Sequence, residues 1–423
     1  MNMILTALIA LFIVSVSFSG CDIGLFLNFK DKAFLFSAAH VFFLLAAGGA
    51  MLIQFARNRK KFIFPELGYQ FISIAGLTLF SLLSHDSKTI NGLALFLMIA
   101  EGVLVYFIVC NYVDSGRAAR HVLCAFFSIF AFQGLCAIYQ FLRPEIIVNP
   151  KIVYMGNVRM ARPCGLLSNA GVFAVFMGMI WPIVFNDVLS ARVHNFFRRS
   201  VKIAVFILGT GGVLVSLTRS AWIGVIISLF VVFAYRIRLK QYDKEFVIRS
   251  FLLILAAVLI SNLFFPARLM FVRFLGSDAI GQLAFRWDLD KIALRMIRDY
   301  PLWGVGPGNF GPVSKLYEPH IIHLVHKQYL FWLAEYGLIG FLFFAWFVFS
   351  FIRISHRAVM VSAGTVFFPA AAGIGAAAWS LLIVNLSGLA MSHVSIFLLL
   401  CVLLGLDTAI LRMNRGLTRE TDG

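Results

Sequence analysis

The side chains able to do chemistry are few, and most fall between Phe285 and Gly340: Arg286, the turn Gly304-Val305-Gly306-Pro307-Gly308-Asn309-Phe310, and His326 next to Lys327. Arg162 and Arg219 add two guanidiniums from earlier connections. A guanidinium is permanently charged and meets phosphate or carboxylate oxygens two at a time, so the set suits a polyanion. His326 abuts Tyr329, Trp332 and Leu333, which sets it at a membrane boundary, where a histidine often serves only as a polar anchor. Beside two arginines its protonated form is disfavoured, which leaves a neutral imidazole able to act as a base.

These residues must be held by membrane helices. Of 423 residues, 61% are hydrophobic and 13% charged, against roughly 25% charged in ordinary soluble domains. Runs of about 20 apolar residues cross a bilayer as helices, because backbone in lipid must hydrogen-bond within itself. The alternating short segments of a β-barrel are absent from the pattern. Apolar runs occur near Ile4–Ser19, Phe34–Phe55, Leu67–Leu83, Leu93–Val113, Val122–Leu142, Leu166–Phe185, Ile203–Leu217, Ala221–Tyr235, Phe251–Phe265, Tyr329–Phe351, Val361–Val384 and Leu389–Leu411. The sequence thus predicts an all-α polytopic membrane protein of about 12 transmembrane helices. It reads as one membrane domain over residues 1–423, with a long polar excursion over residues 266–328 that contains an amphipathic helix.

Lys and Arg set the orientation, since cytoplasmic loops carry the excess. Arg57 and Lys60, Arg117 and Arg120, Arg198 and Arg199, Arg236 and Lys240, Arg353 and Arg357, and Arg412 and Arg415 all follow even-numbered runs. Those loops and both termini are expected in the cytoplasm, and the odd-numbered loops outside. Arg162, Arg219, Arg286, Arg295 and Arg298 then stand on the translocated side against the insertion bias, as handling a polyanion there would require. The net charge of +17 arises from these loops. No basic face interleaved with stacking aromatics points to nucleic acid. The six cysteines lack metal-ligand spacing. Cys21 follows Phe18-Ser19-Gly20, faintly like a lipoprotein cleavage box, but no positive residue precedes that run, so an uncleaved first span is expected.

Each candidate also has a plain reading. Arg219 sits in a connection too short to be a solvated loop; it either snorkels to headgroups or serves a polar cavity. Phe285, Leu289, Ile292, Ala293 and Met296 recur at helical spacing, and Arg286 and Asp290, four apart, could form a simple ion pair. Asp288-Leu289-Asp290 reads like a metal-binding Asp-x-Asp, yet on a helix the two carboxylates diverge. Gly304, Gly306, Gly308 and Gly311 alternate with Pro307 and Pro312 in a tight turn whose amides could cradle an anion, although a structural turn is simpler. No Gly-Lys-Ser/Thr ending marks a nucleotide loop. His320, His323 and His326 are spaced by three, but the first two precede regular helix. Glu335, near the outer end of its span, could orient His326 or pack the helix.

Taken in order, Arg162-Pro163-x-Gly165-x-x-x-Asn169, Arg219, Arg286-x-x-x-x-x-x-Ala293, Pro301-Leu302-Trp303-Gly304-Val305-Gly306-Pro307-Gly308-Asn309-Phe310 and His326-x-x-Tyr329-Leu330-x-x-x-x-Glu335-x-Gly337-Leu338-x-Gly340 resemble the bacterial O-antigen ligase and polymerase superfamily, chiefly over residues 201–344. Lys327 departs from the pattern, where an Asn commonly follows the His. The resemblance implies an inverting, metal-independent glycosyltransferase of the GT-C type in the bacterial inner membrane, needing no cofactor. Its donor would be a glycan on undecaprenyl pyrophosphate. Its acceptor would be a sugar hydroxyl of the lipid A core for a ligase, the first choice, or another lipid-linked repeat unit for a polymerase. On this resemblance Arg219 and Arg286 would bind pyrophosphate and His326 would be the catalytic base. Arg162, Asn169, Gly306, Asn309 and Glu335 are weaker substrate-binding candidates.

A transporter is the rival reading. Transporters hold ionisable groups at mid-bilayer on broken, repeated helices. Here the run interiors hold few charges, Glu101 being the exception, and the candidates gather at outer helix ends.

Overall fold

A computed structural model describes residues 62–85, 90–147, 152–155, 158–190, 196–264, 277–320 and 324–421, with isolated positions before residue 62. Apart from those positions, the first two apolar runs lie outside the described residues, as do Cys21 and His323. The third to ninth runs become helices α1 (Gly68–Ser84), α2 (Ile90–Tyr112), α3 (Gly116–Leu142), α4 (Ala170–Ser190), α5 (Phe196–Val215), α6 (Arg219–Arg238) and α7 (Lys244–Phe264). The polar excursion contributes α8 (Ser277–Asp299) and the short α9 (Phe310–Tyr317). The last three runs form α10 (Gln328–Val361), α11 (Phe368–Val384) and α12 (Val394–Thr421). Among the described residues, six helices are long and apolar enough to cross a membrane, namely α2, α3, α4, α6, α10 and α12, while α1 and α11 are shorter apolar helices.

The helices agree with an all-α membrane protein, and one short hairpin stands beside them. Strands β1 (Ile152–Met155) and β2 (Val158–Ala161) pair antiparallel, with Ile152 opposite Ala161 and Met155 opposite Val158. Ile152-Val153-Tyr154 and Val158-Arg159-Met160 flank Gly156-Asn157, a two-residue hairpin signal in the sequence. Charge inside the spans is not confined to Glu101. Glu101 in α2 is buried, and so is Asp407 in α12, which the apolar run around it concealed.

Glycines let the helices come close. Without a hydrophobic force between helices in lipid, small residues bring backbones into contact. A Cβ on Gly212 of α5 would lie 2.7 Å from the Gly134 Cα of α3, and one on Gly373 of α11 would lie 2.5 Å from the Ile183 Cα of α4. Helices α4 and α12 are enclosed on nearly every side and form the centre of the bundle.

Helix α10, with 34 residues, would be about 51 Å long if straight, well beyond a hydrocarbon core of about 30 Å. It is broken at Gly337, whose backbone sits at φ 63°, ψ −167°. Helix α8 lies along α10 on the predicted stripe. Leu289, Ile292, Ala293 and Met296 are buried, while Phe285 at its end is half-exposed.

Candidate active site

Two large polar cavities open at opposite ends of the bundle. The larger, ≈ 820 Å³, is lined by residues from the C-terminal ends of α4 and α6 and mixes Arg199, Lys202, Arg236 and Arg249 with Asp187, Asp243 and Glu245. Much of its charge is already paired, Lys202 with Asp187 and Arg249 with Glu245. The other, ≈ 530 Å³, is lined by Arg162, Asn169, Arg219, Arg286, His326 and His393, with no Asp or Glu among the described residues that line it. Residues from the first turns of three helices also line it: Gly171 and Val172 of α4, Ser220 of α6 and Ile396 of α12. Helix N-termini carry positive partial charge, so backbone and side chains together favour an anion here.

Arg162 reaches the cavity because the segment after β2 is clamped. Gln140 of α3 accepts from the Cys164 and Gly165 amides, each at 2.9 Å, and donates to the Gly165 carbonyl at 2.7 Å. Gln133, two turns earlier on the same helix, accepts from Leu166 at 2.9 Å. Gly165 takes φ +57°, and a Cβ there would lie 2.3 Å from the Gln133 Oε1. Arg162 then donates through Nε to the Ser216 carbonyl at 3.1 Å and through Nη2 to the Thr218 hydroxyl. This ties it to the turn before Arg219. That turn is short because Leu217 adopts φ 56°, and α6 begins at Arg219 itself. Asn169 spends its side-chain oxygen on capping α4, accepting from Gly171 at 2.9 Å and Val172 at 3.0 Å.

Arg286 arrives from α8 and donates to the Ser387 carbonyl at 3.2 Å. Burial and the nearby charge of Arg219 hold its guanidinium below the ordinary arginine pKa, with Asp290 pulling the other way. The simple Arg286–Asp290 pair is not what forms, for the Asp290 carboxylate meets Lys327 at 2.6 Å. Asp288 instead pairs with Lys291 at 3.0 Å, and it is exposed where Asp290 is buried, so the two carboxylates of the Asp-x-Asp stretch face apart.

His326 precedes α10 and follows Val325, which is fully buried and anchors the segment. Gln328 fixes the other side. Its amide donates to the Asn385 carbonyl at 3.1 Å and its side chain to the Ser392 hydroxyl at 2.8 Å. Asn385 in turn accepts from the Ala390 amide at 3.0 Å, folding the α11–α12 connection over the cavity. His393, at the start of α12, lines the cavity from that connection and was not foreseen from the sequence. The signal available was a histidine in a short loop on the same side as Arg219.

Gly306, Asn309 and Glu335 are not among the residues lining the cavity. The glycine turn closes on Glu335. The Gly308 and Phe310 amides donate to its carboxylate at 2.9 and 3.1 Å, and the Val305 and Gly306 amides donate to the Ala334 and Glu335 carbonyls, each at 2.9 Å. The amides that could cradle a phosphate thus hold an internal carboxylate and the broken edge of α10. Gly304 and Gly337 interlock there, since a Cβ on Gly337 would lie 2.3 Å from the Leu302 oxygen and one on Gly304 2.4 Å from the Glu335 carbonyl carbon.

Residues 204–345 match the family described as O-antigen ligase. The match over this stretch supports membership of the O-antigen ligase and polymerase family. The family segment contains Arg219, Arg286, the glycine turn, His326 and Glu335, whereas Arg162, Asn169 and His393 join the cavity from outside it. No curated protein matches the chain.

Proposed function

We propose that this protein is an O-antigen ligase-type glycosyltransferase. In this reading it moves a glycan from undecaprenyl pyrophosphate to a sugar hydroxyl of the lipid A core, on the periplasmic side of the inner membrane. The observation that supports it is the cavity lined jointly by Arg162, Arg219, Arg286 and His326, within and beside the family segment, with no acid among its described lining residues.

The acceptor hydroxyl oxygen attacks the anomeric carbon of the donor sugar as the bond from that carbon to the pyrophosphate oxygen breaks, inverting the centre. His326 takes the hydroxyl proton. Arg219 and Arg286 stabilise the charge that develops on the departing pyrophosphate, as fixed cations do best where water is scarce. Arg162 holds the turn that carries Arg219 and lends a third positive charge. With guanidiniums supplying this stabilisation, the reaction needs no metal.

Deleting the gene and analysing lipopolysaccharide on gels tests the reading. Loss of all long chains from the core is expected, while a single capped repeat would make the protein a polymerase of the same family. His326→Ala supplied in place of the wild type is expected to give no transfer at normal protein level, and chelators to leave wild-type transfer unchanged. Transfer by that variant, or rescue by divalent ions after chelation, would overturn the mechanism.

A further inference from the structure

The contact between Asp290 and Lys327 lies between two proposed catalytic side chains. Arg286 is one helical turn before Asp290 on α8, and His326 is the neighbour of Lys327. A carboxylate four residues from an arginine on a helix is its natural partner. Here that carboxylate, buried on the face of α8 packed against α10, is drawn to the lysine at 2.6 Å, and Arg286 donates to Ser387 while lining the cavity. Lys327 keeps about two-fifths of its side chain exposed and is not among the residues lining the cavity. If the lysine were absent, Asp290 would be a buried carboxylate without its cation, and the nearest replacement would be Arg286.

We infer that Lys327 is a positioning residue: it holds the Asp290 carboxylate away from Arg286, so that the Arg286 guanidinium faces the anionic group of the donor, and it does this without touching the donor itself. The inference rests on Arg286 being a pyrophosphate contact. It carries an asymmetry that an ordinary stabilising ion pair lacks. Removing the lysine turns Asp290 against Arg286, whereas removing the carboxylate leaves the bond from Arg286 to Ser387 in place and returns a half-exposed lysine to water.

The test uses the full chain purified into lipid vesicles. The substrates are lipid-linked glycan and core lipopolysaccharide extracted from cells lacking the gene. Lys327→Ala is expected to raise the KM for the lipid-linked glycan about tenfold with a smaller change in kcat. Asp290→Asn is expected to stay near the wild type, and the Lys327→Ala/Asp290→Asn double variant to recover to the level of Asp290→Asn. Lys327→Arg, which keeps the charge, covers the case in which Lys327→Ala does not fold, and is expected to retain wild-type KM. A double variant as impaired as Lys327→Ala would mean that Lys327 acts on substrate, and an Asp290→Asn variant as impaired as Lys327→Ala would mean a plain structural bridge. Either result overturns the inference. Arg286→Ala and His326→Ala are measured beside them. If those two stay active, the reading of the site fails; if they are inactive and the double variant does not recover, only the role of Lys327 fails.

Discussion

Arg219 occupies a position that the fold alone would not choose. It is the first residue of α6, where the helix dipole disfavours a cation by about 0.3–1 kcal/mol, and it stands close enough to Arg286 for the two charges to repel. An anionic substrate offsets both costs, so function and stability should pull apart at this residue. Arg219→Gln is expected to leave the melting temperature in detergent unchanged or slightly higher without donor, while transfer falls by about 100-fold or more. A variant that melts earlier would show that the guanidinium holds the fold together. Arg219 and Arg286 were singled out in the sequence as cations on the side where insertion rules disfavour them, and His326 as a polar residue at the edge of a span; the structure brings all three to one cavity. His393, Gln133 and Gln140 were not. Their roles come from partners in other elements, the glutamines meeting a loop 25 and 33 residues away, and a polar residue on an apolar helix does not announce which segment it will clamp. Gln140→Leu removes the acceptor of two amides at once, and an unsatisfied buried amide costs about 1–3 kcal/mol. A lower melting temperature together with weaker transfer is the expected pair of changes, the second because Arg162 loses its support.

At the scale of elements, the broken helix α10 and the glycine turn act as one part. The Gly and Pro residues between Pro301 and Pro312 marked the turn in the sequence, and the apolar run marked α10. That the turn wraps the break in that helix was hidden, since the Gly308 amide and the Glu335 carboxylate are 27 residues apart and only packing brings them together. The sequence left open whether Glu335 orients His326 or packs its helix, and its bonds to the turn favour packing. The break itself has a stringent requirement. Gly337 combines φ 63° with a Cβ position 2.3 Å from the Leu302 oxygen, so any side chain adds strain of order 1–3 kcal/mol plus a backbone clash. Gly337→Ala is expected to lower the melting temperature by several degrees and to reduce membrane levels of the protein, measured by fluorescence-detected size exclusion. An alanine tolerated without loss would mean that the helix can run straight through residue 337. Gly311, at the same turn, has nothing within 4 Å of its Cβ position, so Gly311→Ala provides the control and is expected to behave as wild type.

For the molecule as a whole, the two polar cavities make sidedness testable. Helix α4 connects their levels, with Gly171 and Val172 at one and Leu189 and Ser190 at the other. Its 21 residues rise about 30 Å, the thickness of a bilayer core, so the cavities open on opposite faces of the membrane. The cavity with Arg199, Lys202, Arg236, Lys240 and Arg249 belongs to loops that follow even-numbered apolar runs, where insertion puts Lys and Arg in the cytoplasm. The proposed transfer then predicts that the candidate active site faces outward. Cysteine labelling checks this in a chain whose six cysteines have first been replaced. Ser387→Cys, at the candidate site, is expected to react with a membrane-impermeant maleimide in intact cells with a permeabilised outer membrane. Lys240→Cys, in the opposite cavity, is expected to react only after lysis. The reverse pattern would put the arginines and His326 in the cytoplasm, out of reach of any acceptor assembled on the outer leaflet. The proposed transfer would then be impossible even if every distance in the cavity were right.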